Sequence, residues 1–119
     1  MKRELKLGPN QTAWVEALES GSYGQCVERL KGDAGYCCLG VACDISQLHQ
    51  WKGSTYNGAI DTLPDDVKEW VGLRDKAGWL TEEHGKMFSL LGMNDGGWSF
   101  MKIAKFIRKY PERVFVEAR

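Results

Sequence analysis

The sequence predicts a mainly α fold: one compact helical domain over residues 1–119, with at most a small β-hairpin. Two observations carry that prediction. Apolar residues recur at helical spacing in several segments, and most of these open on a capping residue or proline and stop at a glycine. One segment, at about 37–49, is apolar on most sides over its first two turns, through Leu39, Val41, Ala42, Ile45 and Leu48. Such a helix belongs at the centre of a fold and not on its surface.

Residues 1–9 read as a flexible arm closed by Gly8-Pro9. Asn10 or Thr12 is expected to cap the first helix, with Trp14, Ala17 and Leu18 on one face and Gly21 as the stop. Tyr23 to Leu30 reads as an irregular connection, and Lys31-Gly32-Asp33-Ala34-Gly35 as a turn. The central helix comes next, and its Gly40 and Ala42 leave room for close approach by a neighbouring backbone. Residues 50–62, rich in Gly, Ser, Thr, Tyr and Asn, read as the longest irregular segment. Pro64 suits the first position of the next helix, and Asp65 and Asp66 favour its positive end. Val67, Trp70 and Val71 form its apolar side, and Gly72 ends it. Arg74 to Gly78 reads as a turn joining two short strands around Leu73 and Trp79-Leu80. Thr81-Glu82-Glu83-His84 reads as a capped helix start running through Met87, Phe88 and Leu90. Asn94-Asp95-Gly96-Gly97 reads as a turn, with Asn94 and Asp95 fixing it and capping the last helix. Ser99 opens that helix, whose Phe100, Ile103, Ala104 and Ile107 form one stripe, and Pro111 marks its end.

Sixteen Lys and Arg balance sixteen Asp and Glu, so the formal net charge is zero. Non-specific nucleic-acid binding needs a cationic excess on one face, so nucleic acid is not the expected partner. Lys102, Lys105, Arg108, Lys109 and Arg113 do crowd the last helix, where cations also suit a solvated C-terminus. A helix-turn-helix is excluded there, because only twelve residues come after Ile107 and they include Pro111. No apolar run approaches the roughly 20 residues of a membrane span, and Met1 to Leu5 has no signal core. The expected location is therefore the cytoplasm, where thiols stay reduced.

Tyr36 to Asp44 holds three of the four cysteines. Adjacent Cys37 and Cys38 would form only a strained disulfide. A zinc site fails on direction: on one helix Cys37 and Cys43 lie about 120° apart around the axis, and Cys38 and Cys43 about 140°. No metal or cofactor is expected. A thiol nucleophile at a helix start is a real alternative, because the helix dipole lowers a thiol pKa. His49 would sit far along the same helix, leaving His84 as base and Asp44 or Asp95 to orient it. No glycine-rich oxyanion motif accompanies them. The simpler reading is that these cysteines pack as small hydrophobes.

Three motifs together resemble a family of small, largely uncharacterised bacteriophage and prophage proteins. They are Tyr36-Cys37-Cys38-Leu39-Gly40-Val41 with Cys43-Asp44; Leu63-Pro64 with Trp70-Val71-Gly72-Leu73; and Asn94-Asp95, Gly97, Ser99-Phe100 and Ile103-Ala104. The family usually has a bulky residue where this chain has Ala42. The resemblance implies a phage-type accessory protein and supplies no catalytic residues.

The expected function is therefore non-enzymatic. The protein would bind a host protein or a small nucleotide-like host ligand in the host cytoplasm, and so inhibit a bacterial defence system. Homodimerisation stays open. Trp14 and Trp70 read as core, whereas Trp51, Trp79 and Trp98 flank loops, where tryptophans serve either as core lids or as ligand contacts. Trp51 and Tyr56 in the loop 51–61 are the expected protein interface. For a nucleotide, Trp51, Tyr56 or Trp98 would stack on the base and Lys52, Arg74 or Lys102 would meet phosphates, with Asn57 among the nearby polar groups. The competing class is a small cysteine hydrolase using Cys37 or Cys38 with His84.

Overall fold

The apolar segment does form the central helix. A computed structural model describes residues 5–80 and 88–119. In it helix α2, Cys38–Ser46, is buried throughout from Cys38 to Cys43. It packs against α1 (Pro9–Glu19), α3 (Asp65–Val71) and α4 (Leu90–Asp95); α5 (Phe100–Lys109) lies along α1, and α6 (Pro111–Val114) comes after it. Among the described residues the only strands are two short antiparallel hairpins, β1–β2 (Lys31–Gly32 with Gly35–Tyr36) and β3–β4 (Trp51–Lys52 with Thr55–Tyr56). The fold is mainly α, as the sequence predicts.

Gly40 explains how α2 can sit so deep. The backbone of Leu30 crosses its first turn, and a Cβ on Gly40 would lie 1.9 Å from the Leu30 carbonyl oxygen. That carbonyl accepts the Cys37 N–H, while the Leu30 N–H donates to Ile60. At its other end α2 stops three residues short of the predicted His49. Gln47 takes a left-handed conformation, φ 55°. Ser46 is the reason: its hydroxyl donates to the Cys43 carbonyl and accepts the Leu48 N–H, a local alternative to further helical bonds.

α1 starts at Pro9, with Gly8 rather than Asn10 or Thr12 at the cap position. The Gln11 side-chain oxygen accepts the Gly8 N–H, and its amide donates to the Val71 and Glu117 carbonyls. Gln11 is fully buried, and its own N–H donates to Arg119. The start of α1 and the C-terminal residues are thereby tied together beside α3. The described part of the predicted arm is packed, with Leu5 and Leu7 against the core.

The hairpin predicted around Leu73 and Trp79-Leu80 does not form. Leu73 bridges Phe115 and Trp79 bridges Ser89 instead. The turn between them is real, because the Asp75 carboxylate accepts the Ala77 and Trp79 N–H groups. The hairpins lie where the sequence suggests turns without strands, at 31–36 and within 50–62. Pro64 is the cap residue of α3 and not its first residue, and Gly72, φ 79°, ends that helix. α4 begins only at Leu90, capped by Ser89, so Phe88 is outside it; the predicted start at Thr81 to His84, and Met87, lie outside the described residues. Ser99 caps α5 as predicted, and Pro111 both ends α5 and opens α6.

Asn94 and Asp95 are not turn residues that cap α5. They form the last turn of α4, and Asn94 is fully buried. Its amide donates to the Cys26 carbonyl at 2.9 Å. Its oxygen accepts the Cys38 N–H at 3.2 Å and the Gln25 amide at 2.9 Å. Gln25 in turn donates to the Trp98 carbonyl and accepts the Phe100 N–H. Asp95 accepts the Glu28 N–H. Replacing Asn94 with Leu strands the Cys38 N–H in the interior and leaves the part-buried Cys26 carbonyl without its partner. Each stranded group costs about 1–3 kcal/mol, so Asn94→Leu is expected to lose about 3 kcal/mol. Urea denaturation monitored by circular dichroism reads that loss as a lower midpoint.

Candidate functional site

The thiols come first, because they separate catalysis from packing. Cys37, Cys38 and Cys43 are completely buried, and all four cysteines are free. Cys37 caps α2, its sulfur accepting the Gly40 N–H at 3.4 Å. The Cys38 thiol points at the Leu90 carbonyl, 3.6 Å away. Burial pushes the Cys37 thiol up to about 11 and raises Cys38 and Cys43 as well; the backbone N–H groups at the helix start only partly offset it for Cys37. Desolvation outweighs the dipole here because no water reaches the sulfur. The proposed base, His84, lies outside the described residues. His49 sits beyond α2, bonded to Asp66, with its ring against Tyr56. The candidate orienting carboxylates are occupied elsewhere: Asp44 accepts from the Tyr23 hydroxyl and the Trp51 indole, and Asp95 from Glu28.

Trp51 and Tyr56 do not form an open loop surface. Tyr56 is 1% exposed, and its hydroxyl accepts the His49 N–H. Trp51 is half-buried in a run of rings in which Tyr23, Tyr36, Trp51 and Tyr56 each touch the next, with centroids 4.8–5.7 Å apart. The hairpin β3–β4 turns these rings inward against α2, leaving only Lys52 and Asn57 of that predicted group exposed. Asn57 itself sits at a left-handed turn, φ 50°.

Trp98 and Lys102 do come together. The Lys102 ammonium lies 4.2 Å above the Trp98 ring, and that ring packs edge-on against Phe106. Trp98 lies just before α5 and Lys102 in its first turn.

Arg74 occupies a third place, which is concave. It lines an open groove of about 560 Å³ with Thr62, Lys68, Asp75, Lys76, Ala77 and Trp79. The Arg74 guanidinium donates to the carbonyls of Glu112 and Phe115. Among the described residues no carboxylate pairs with it. It is therefore a positioned cation held by neutral groups, with further N–H donors to offer. Lys68 and Lys76 form ion pairs with Glu69 and Asp65 at 3.5 and 3.4 Å. The Lys76–Asp65 pair is exposed and Lys68 is half-buried beside an exposed Glu69, so exchanging these partners for a ligand anion costs little. Asp75 is spent on the turn. Trp79 is 42% exposed, an indole left at the groove with no burial to explain it. A second open groove of about 520 Å³ shares Thr62 and Lys76 and carries Asn57, Asp65 and Asp66.

A family profile matches residues 1–111. The chain belongs to the family described as Domain of unknown function (DUF8296). No curated protein and no solved structure matches it. The matched span takes in α1 to α5, both grooves and the Asn94 network. The bond from the Cys38 N–H to Asn94 joins the segment Tyr36 to Asp44 to the segment that starts at Asn94.

The predicted binding residues thus fall in separate places: Arg74 lines one open groove and Asn57 the neighbouring one, which shares Thr62 and Lys76 with it. Thr62, Lys68, Lys76 and Trp79 were not assigned to a site from sequence. The signal was present: three cations and two tryptophans fall within positions 68 to 79. It was spread across a helix, its glycine stop and a turn, which only the fold brings together.

The buried thiols carry two expected outcomes. The native protein is expected to leave Cys37, Cys38 and Cys43 unmodified by a soluble aromatic disulfide reagent, and urea to release them. Stability should also fall above the ordinary thiol value of about 8.5, because the unfolded chain loses those protons first while the folded chain keeps them. For Cys37 the fall should level off near pH 11, its folded value. Denaturation midpoints measured from pH 7 upward check the sign; a rising midpoint contradicts it.

Proposed function

We propose that this protein is a non-enzymatic binding protein that holds a small anionic ligand of nucleotide type in the Arg74 groove. One observation carries the reading: a guanidinium fixed by two carbonyls and paired with no carboxylate among the described residues, in a groove that also holds two lysines, Asp75 and an exposed tryptophan. A nucleotide offers what that set can use. Its phosphates suit a fork of guanidinium donors flanked by ammonium groups, and its base suits the face of an indole. The groove volume falls within the range of small-ligand sites, about 300–1,000 Å³.

The resemblance to phage and prophage proteins extends the reading. The ligand would be a host metabolite, and keeping it from its receptor would inhibit a defence system that uses a nucleotide signal. The competing cysteine hydrolase draws no support from thiols that are buried and protonated at neutral pH.

Binding of linear and cyclic nucleotides, measured by tryptophan fluorescence and by calorimetry, tests the proposal. Trp79→Ala and Lys76→Glu are expected to weaken binding at least about tenfold, the loss of one contact worth roughly 1.5–3 kcal/mol. Circular dichroism should stay unchanged. Wild-type affinity in both variants, or no binding by any nucleotide, overturns the assignment.

A further inference from the structure

The zero net charge conceals a segregated cationic face. From Trp98 to Arg113 there are five cations and one carboxylate, Glu112. Arg108 is neutralised by a two-point ion pair with Glu19 at 2.7 Å. Lys102, Lys105 and Lys109 have no carboxylate partner among the described residues, and all three are exposed. Their spacing, three then four residues, sets them in one stripe about 10 Å long on α5. Beside the stripe runs a second row of half-buried rings. Trp98 packs on Phe106 at 6.1 Å, and Phe106 on Tyr110 at 5.1 Å. The lysines already lean over these rings, Lys102 over Trp98 at 4.2 Å and Lys109 over Tyr110 at 5.4 Å.

We propose that this face of α5 binds single-stranded nucleic acid, with lysines 102, 105 and 109 on consecutive phosphates and the adjoining rings against unpaired bases. The charge calls for a polyanion, and the rings decide which kind. An acidic protein surface would use the lysines, but its carboxylates have no flat face to lay on Trp98 and Tyr110. An unpaired strand uses both, because every base has a face that can stack on an aromatic side chain. A duplex keeps its bases stacked on one another and would leave the rings idle. An ammonium resting on a ring can swing to a phosphate as the base takes its place, so cation–π contacts are exchanged for an ion pair and a stacking contact. This surface shares no residue with the Arg74 groove, and either can fail without the other.

The test is titration of a labelled oligothymidylate with the full chain at several salt concentrations. Three phosphate contacts predict that log affinity falls with log salt at a slope of about −2. The triple variant Lys102→Gln, Lys105→Gln, Lys109→Gln, which alters only exposed positions, should flatten that slope and weaken binding at least about tenfold at low salt. An abasic strand of equal length should bind more weakly than the base-bearing strand. No binding at low salt, an unchanged triple variant, or equal binding of the abasic strand or of polyglutamate overturns the proposal; the last result would identify an acidic protein surface as the partner.

Discussion

One buried amide holds the parts of this protein in register. Asn94 ends α4, and its side chain reaches the backbone at Cys26, the first N–H of α2 and the amide of Gln25. Gln25 passes the connection on to Trp98 and the start of α5. In the interior such groups are costly when unpaired and directional when paired, so they admit few alternative arrangements. The irregular stretch from Tyr23 to Leu30 has almost no secondary structure of its own. It is held by these bonds and by the Leu30 backbone lying over Gly40. Gln11 performs the same task at the opposite end, tying α1 to the end of α3 and to the C-terminal residues.

The cysteine-rich segment is a consequence of this constraint. A helix crossed closely by a neighbouring backbone needs small residues on that side, and one buried on every side needs apolar ones. Cysteine satisfies both, and so does Gly40. Their density therefore reflects lack of space. Chemistry available to a ligand lies elsewhere, on cations held in place by carbonyls or rings: Arg74 by Glu112 and Phe115, Lys102 by Trp98.

Much of the fold was legible in the sequence because it rests on local signals. The start of the apolar run at 37–49, Ser99 before α5 and Gly72 after α3 are each where periodicity and capping place them, although the central helix ends at Ser46. The errors share a cause, which is that distant partners overrode local preference. Leu73 and Trp79 look like two arms of a hairpin, yet Phe115 and Ser89 take those bridges. Asn94-Asp95 before two glycines looks like a turn, yet its side chains are claimed by residues far back in the chain. Tyr56 sits among glycines and polar residues that suggest a loop, and its burial depends on α2 and the rings of Tyr36 and Trp51 lying beside it. For the site, Arg74 was recognised as a candidate, but Lys68, Lys76 and Trp79 join it only when α3 turns back at Gly72.

The groove reading is tested most directly by native mass spectrometry of the protein purified from bacterial cytoplasm. The expected spectrum shows wild-type protein carrying an added mass of nucleotide size, and the Trp79→Ala, Lys76→Glu double variant, equally folded, without it. A bare wild-type protein, or a double variant that retains the same added mass, would contradict the assignment of ligand binding to the Arg74 groove.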